Sequence, residues 1–324
     1  MKKMTVKQMV FEKAKRQFGQ AVYYGDDSDE LIVNPNTAES EFPWRYSYNL
    51  PTEEARIAEQ QKMDAFYYEL FEKIMHDRFD GVKCDMFEKI YIATNNICNG
   101  TCGFCSVGND KSQPPTIIPD DIIEKIISEL KEINFKGKIS LHGVNEPLLD
   151  KRLATICKQF KNSLPDCGLR ILTNGTMLTE EWLNVLLPWV EKIEVHIYGD
   201  ELSIPKNMES IISYCEASAV ASQKVKFFLR LKHEILSQKG YGPCGRTKYG
   251  KINSGCIMPF TTLSIVAPGI VTYCDSDYCG KGNMGNIREQ RIIDIWNSEK
   301  FNEYRLNMLS GRAFTEFCNK CDFF

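Results

Sequence analysis

Three cysteines fall within eight residues of this 324-residue chain, at Cys98, Cys102 and Cys105, in the pattern C-x3-C-x2-C. Thiolates are soft ligands that suit iron–sulfur clusters. Three of them hold three irons of a [4Fe-4S] cube and leave the fourth open. An open iron is a reaction site, for which a purely structural cluster has no use.

A second set follows late in the chain. Cys256, Cys274, Cys318 and Cys321 are spaced C-x17-C, a long gap, then C-x2-C. Four thiolates complete a cluster's ligation, and such a cluster exchanges electrons without binding substrate. The same four thiolates also suit a zinc ion, and both readings stand at this point. The stretch Thr261–Val266, the turn Ala267-Pro268-Gly269 and the stretch Ile270–Tyr273 form an expected hairpin within the set. Cys279 and Cys244 are surplus thiols nearby. Cys84, Cys157, Cys167 and Cys215 lie on expected helices or loops and read as ordinary buried or surface residues.

Both sets need elements to position them. From Ile90 the chain alternates strand and helix, which predicts βα units on a parallel sheet. The expected strands are Ile90–Thr94, Lys138–His142, Leu169–Thr173, Ile193–Tyr198 and Val225–Leu231. Helices are expected at Pro119–Ile133, Arg152–Phe160, Glu180–Leu187 and Asn207–Ala217. Five or six such units read as a partial (βα)6-type barrel, in which active sites sit at the C-terminal strand ends. The first cysteine loop follows the first strand. Along Ile193–Tyr198 the period of two puts Ile193, Val195 and Ile197 on one face and Glu194, His196 and Tyr198 on the other. Helices cover the outside, so Glu194, His196, Tyr198, Ser140 and His142 are expected to point inward, lining a ligand cavity. The plainer alternative is that His142 and His196 only hydrogen-bond backbone or each other.

Before these units, residues 1–86 read as a mostly helical extension. Val6, Met9, Val10, Ala14 and Phe18 make a helical stripe, Asp26 to Pro43 reads as a loop, and a helix over Thr52–Met75 carries Phe66, Leu70, Phe71 and Ile74 on one face. Net charge −3 and pI near 5.9 give no basic footprint for nucleic acid. No apolar run of about 18 residues predicts a membrane span, and the start Met1-Lys-Lys-Met-Thr-Val-Lys lacks the apolar core of a signal peptide. A cytoplasmic protein is expected, whose thirteen cysteines serve metal or redox chemistry rather than disulfides.

The triad, with Phe104 just before its third cysteine, resembles the signature of the radical S-adenosylmethionine (SAM) superfamily. His142-Gly-Val-Asn-Glu-Pro147 resembles that superfamily's Gly-Gly-Glu-Pro motif, and Thr173-Asn174-Gly175 its ribose-contacting turn. The late cysteines, with Met284-Gly-Asn-Ile and Asp294-Ile-Trp296 between them, resemble the twitch form of the SPASM auxiliary-cluster domain. The resemblance implies an α/β partial barrel over 87–240, an auxiliary domain over 241–324, SAM, and two [4Fe-4S] clusters. It implies that Glu146 and the backbone of Gly143 to Asn145 accept the methionine ammonium of SAM. Thr173 and Asn174 would meet the ribose, and Phe104 would pack near the adenine. Asn145 stands where glycine is usual, and asparagine tolerates left-handed backbone angles better than most residues. Within the superfamily the likeness points to dehydrogenases of aminocyclitols, in which an arginine upstream of the first twitch cysteine contacts the substrate hydroxyl. Arg246 is the match here. The implied reaction is oxidation of a secondary alcohol of a sugar-like small molecule, with the second cluster accepting an electron. His142, Glu194, His196, Tyr198 and Arg246 would orient the hydroxyl. A flavodoxin- or ferredoxin-type protein would supply electrons. The alternative is an epimerase or peptide-modifying enzyme that uses Cys279 or Cys244 as hydrogen-atom donor.

Overall fold

The computed structural model describes residues 22–24, 31–33, 53–102, 105, 107, 113–198, 207–230, 254–277, 280–319 and 321. Phe104, Cys244, Arg246, Cys279 and the stripe from Val6 to Phe18 lie outside them. Two short strands, β1 (Val22–Tyr24) and β2 (Leu31–Val33), pair antiparallel. The expected loop from Asp26 to Pro43 is therefore corrected at Leu31–Val33. Three apolar residues there find a strand partner in a segment that the polar composition around them concealed.

Helix α1 (Glu53–Arg78) comes next. Among its described side chains the apolar face is buried toward the C-terminal end: Phe71 is 1% exposed, whereas Phe66 is 51% exposed. Phe71 and Phe79 pack on Phe260 with ring centroids at 6.1 and 5.6 Å.

A chain of βα units then follows. Strands β3 (Lys89–Ile92), β4 (Lys138–Ser140), β5 (Gly168–Thr173), β6 (Lys192–Tyr198) and β7 (Val225–Arg230) run parallel in that spatial order. Between them lie α2 (Asp120–Glu132), α3 (Leu153–Ser163), α4 (Glu180–Leu186), and the pair α5 (Met208–Ala217) and α6 (Ala219–Lys224). Each helix forms because its apolar residues recur at helical spacing. On α2, Ile122, Ile123, Ile126, Ile127 and Leu130 are all buried, each contributing about 1.5–3 kcal/mol. Thr179 caps α4 by accepting from Trp182 N at 3.2 Å.

After α7 (Met258–Thr261) the chain returns to the same sheet. Strand β8 (Thr262–Val266) pairs parallel with β3, and β9 (Ile270–Thr272) and β10 (Asn283–Asn286) extend it antiparallel. The sheet order is β10-β9-β8-β3-β4-β5-β6-β7, an incomplete barrel of six parallel strands with an antiparallel extension. The expected hairpin is present, and its first strand is also the sixth parallel strand. Gly269 turns the hairpin at φ +134°, a conformation that favours glycine.

Three short helices close the chain: α8 (Ile292–Trp296), α9 (Glu299–Leu309) and α10 (Glu316–Asn319). Glu129 of α2 accepts from Ile292 N at 2.6 Å and so caps α8. Trp296 Nε1 donates to Asp85 O at 3.0 Å and its ring meets Phe87 edge-on. Arg305 is buried against Trp296 and Phe301 and donates to Pro259 O and Trp296 O.

Candidate active site and auxiliary cluster site

The cysteine loop leaves the C-terminal end of β3. Asn95 fixes its start, since its Oδ1 accepts from Ile97 N at 3.0 Å and its Nδ2 donates to Glu146 O at 3.3 Å. Glu146 N returns a bond to Ile97 O at 2.9 Å. Gly100 N donates to Cys98 Sγ at 3.3 Å, and Cys105 N to Cys102 O at 2.9 Å. A Cβ built on Gly100 would lie 3.5 Å from Cys98 Sγ and 3.6 Å from Cys102 Sγ. Two partly exposed sulfurs thus flank a glycine, a cradle that fits a cluster face. Asn174 Nδ2 reaches Cys98 Sγ at 3.8 Å and Asn99 Oδ1 at 2.9 Å.

Glu146 joins the two turns that follow β4 and β5. It is buried; Oε1 accepts from Leu148 N at 3.1 Å and Thr173 Oγ1 at 2.7 Å, and Oε2 from Asn174 N at 2.8 Å. Burial outweighs these bonds and pushes its carboxyl pKa up. A carboxylate offers about four acceptor sites, so three are used within the chain. Asn145 does not adopt a left-handed backbone: the one non-glycine residue with positive φ among the described residues is Asn134. Asn145 instead works through its side chain, which accepts from Gly143 N at 2.8 Å. Gly175 does need its freedom. Its φ is +78°, and a Cβ there would meet Val195 Cγ1 at 2.7 Å.

The inner sheet face carries a polar group of side chains. Glu194 lies 2.6 Å from Lys192 Nζ, 3.5 Å from Arg170 Nη1 and 3.7 Å from His196 Nε2. Burial pushes its carboxyl up, but His196 close by, Lys192 at 2.6 Å and the charges of Arg170 and Lys192 together hold it below the usual carboxylate range. His142 is buried, with Tyr91 edge-on at 5.3 Å and its Nδ1 without a hydrogen-bond partner. Burial lowers its pKa to about 3, so the ring is neutral near pH 7. His196 lies 5.0 Å from Phe228 between ring centroids. Tyr198 ends β6 opposite Arg230. Sequence reasoning passed over Arg170, Tyr91 and Lys192, although the period of two that marked Glu194 also singles out Arg170 between Leu169 and Ile171. The outer face is apolar, as expected: Val195 packs toward Gly175 beside Met208.

On the β8–β9 side of the sheet, Cys256, Cys274, Cys318 and Cys321 line one pocket. Among the described residues no three His, Cys, Asp or Glu side chains converge as ligands of a single ion would. Four thiols set around one pocket supply the four ligands that a cluster's full ligation requires. Tyr304 Oη lies 3.0 Å from Cys318 Sγ, and Arg312 Nη1 lies 3.4 Å from Cys321 Sγ. A Cβ on Gly255 would lie 2.1 Å from Phe71 Cζ, so α1 presses on the residue before Cys256. The two sites adjoin. A Cβ on Gly143 would lie 3.6 Å from the carbonyl oxygen of Asp275, next to Cys274. The remaining described thiols, Cys84, Cys157, Cys167 and Cys215, are buried in the apolar core.

The radical SAM superfamily profile matches residues 92–216, and the SPASM iron–sulfur cluster-binding domain matches residues 256–322. Residues 92–216 are a radical SAM domain and residues 256–322 a SPASM domain, and the cofactors are SAM and [4Fe-4S] clusters. It is 28% identical over 240 residues to the S-adenosyl-L-methionine-dependent 2-deoxy-scyllo-inosamine dehydrogenase of Niallia circulans, covering 73% of this chain and 93% of that one. The structure is similar to the crystal structure of BtrN in complex with AdoMet and 2-DOIA, with TM-score 0.65, 26% identity, and coverage of 74% of this chain and 94% of that chain. Native anSMEcpe with bound AdoMet shares the fold, at TM-score 0.50 and 12% identity over 73% of this chain and 86% of that chain. No helix among the described residues is long and apolar enough to cross a membrane.

Proposed function

We propose that this enzyme oxidises a secondary alcohol of an aminocyclitol or similar sugar-like molecule to a ketone. The observation that carries the reading is the close approach of Gly143, in the SAM-motif loop, to Asp275, beside Cys274: a Cβ built on Gly143 would lie 3.6 Å from the Asp275 carbonyl oxygen. It seats an electron acceptor beside the chamber in which a substrate radical would arise. The likeness to an aminocyclitol dehydrogenase over 93% of that protein's length supports the substrate class.

When bound, SAM with the first cluster would supply hydrogen-atom abstraction from a C–H bond, and the second cluster would supply a one-electron acceptor. The chain's own residues bind and orient. Cys98, Cys102 and Cys105 would ligate the first cluster, and Cys256, Cys274, Cys318 and Cys321 the second. Glu146 holds the Gly143–Pro147 and Thr173–Gly175 turns together, so that Gly143, Asn145, Thr173 and Asn174 present their backbone and side chains to SAM. His142, neutral and with its Nδ1 unpartnered among the described residues, would orient the substrate hydroxyl by hydrogen bonding. Glu194, kept ionised by Lys192 and Arg170, orients His196 toward the same chamber. Tyr198 stands at the end of that strand, and Arg246 would add a charge against the hydroxyl. Phe104 would cover the adenine. An external one-electron reductant of flavodoxin or ferredoxin type would recharge the first cluster.

The test is anaerobic turnover of the reduced, reconstituted enzyme with SAM and 2-deoxy-scyllo-inosamine or related aminocyclitols. Formation of a ketone in step with 5′-deoxyadenosine supports the reading. In heavy water, deuterium at a non-exchangeable carbon of an unoxidised product would replace it with epimerisation.

A further inference from the structure

Two side chains in the auxiliary cavity donate to ligand sulfurs without being ligands. Tyr304 on α9 brings its phenol to 3.0 Å from Cys318 Sγ, and Arg312 brings Nη1 to 3.4 Å from Cys321 Sγ. Both are buried and both line the cavity. Neither is loosely held. The Tyr304 ring stacks on Tyr273 at 4.3 Å with Phe314 against its edge. The Arg312 guanidinium donates to Ser254 O at 3.1 Å and to Gly255 O at 3.2 and 3.3 Å.

A cysteine that ligates iron has no proton, so the phenol is the donor at Cys318. A guanidinium is charged at every accessible pH and can only donate. Hydrogen bonds to ligand sulfurs, and positive charge beside a cluster, favour its more negative reduced form and raise its potential. At the first site, Cys98 Sγ receives two neutral donors, the Gly100 amide and a long contact from the Asn174 side-chain amide.

We propose that Tyr304 and Arg312 are positioning residues that raise the reduction potential of the auxiliary cluster by donating to Cys318 and Cys321, making it a better electron acceptor. The proposal rests on the auxiliary cluster and not on the identity of the substrate.

The experiment is a redox titration of the anaerobically reconstituted full chain, followed by electron paramagnetic resonance, with iron counted in the same samples. Tyr304→Phe keeps the ring and its stacking and removes only the donor. Its auxiliary signal should titrate at a more negative potential while the SAM-cluster midpoint stays in place. Arg312→Met should shift further. At the potential that half-reduces the wild-type auxiliary cluster, its reduced-to-oxidised ratio should fall about tenfold, or about 59 mV for one electron. Arg312→Lys, which keeps the charge, should fall between the two. Unchanged auxiliary midpoints in variants holding roughly eight irons per chain overturn the proposal alone. A wild-type chain with roughly four irons removes the auxiliary cluster, and the proposed acceptor role with it. If Arg312→Met does not retain iron, Tyr304→Phe decides: a negative shift supports the proposal and an unmoved midpoint overturns it.

Discussion

Cys98, Cys102 and Cys105 sit on one loop, whereas Cys256, Cys274, Cys318 and Cys321 are gathered from segments as far apart as positions 256 and 321. The two sites are also stitched by opposite charges. Buried Glu146 ties the first site's turns by accepting from Leu148, Thr173 and Asn174. Buried Arg312 ties the second by donating to Ser254, Gly255 and Cys321. A local ligand set needs only a loop with the right turns. A dispersed set needs a sheet and helices already in place. The auxiliary site should therefore depend more on global folding, and the SAM site more on local hydrogen bonds.

The largest expected effect separates the sites outright. Replacing Cys98, Cys102 and Cys105 by Ala should halve iron from roughly eight to roughly four per chain and abolish 5′-deoxyadenosine formation. Replacing Cys318 and Cys321 should also halve iron but leave SAM cleavage detectable by chromatography. If the second variant cleaved no SAM, the sites would not be separable as described.

Acid should act where the sites adjoin. His142 is held neutral by burial, with Arg170, Asp275, His196 and Glu194 around it. Its folded pKa of about 3 lies below the ordinary 6.5. The unfolded chain therefore binds the extra proton, and the stability is present above pH 6.5 and lost as pH falls toward 3. Over that window His142 contributes a slope of up to about 1.4 kcal/mol per pH unit. Urea unfolding of wild type and His142→Gln at pH 6.5 and 4.5 should show the smaller acid loss in the variant; equal losses would refute it.

Glu146→Gln should cost about 1–3 kcal/mol, because an amide cannot accept from all three donors and leaves one unsatisfied. Urea midpoints measure that cost, and SAM titration should show weaker binding with the auxiliary cluster intact. Loss of the auxiliary cluster as well would erase the asymmetry between the sites. The smallest effect is expected at the surface contact between α2 and the start of α8. The Arg291–Glu132 pair is half exposed on both sides, so Glu132→Ala should change stability by less than about 1 kcal/mol.

Much of this was readable from local pattern. The period of two along β6 separated Val195 from Glu194, and the isoleucines of α2 announced a helix with one buried face. The first cysteine loop was readable because its ligands, spacing and preceding strand are contiguous. Other features were hidden because they depend on contacts distant in sequence. Leu31–Val33 is the local exception: polar residues around it mask a short antiparallel pairing with Val22–Tyr24. Phe66 looked like core, yet only the later part of α1 reaches Phe260. Asparagine's tolerance of left-handed angles is not what Asn145 uses; its side chain supplies the turn's hydrogen bond.

By itself the sequence determined which cysteines are available, the βα rhythm that carries the first three to a strand end, and the inward and outward faces of each strand. These follow from chemistry and periodicity within a few residues. Only the tertiary structure decided that β8 continues the parallel sheet beside β3, that Glu194 is held between Lys192 and Arg170, and that Tyr304 and Arg312 reach the sulfurs of Cys318 and Cys321. Register across a sheet, burial of a charge and the meeting of two loops depend on how the whole chain packs, and no local spacing records which residues will meet.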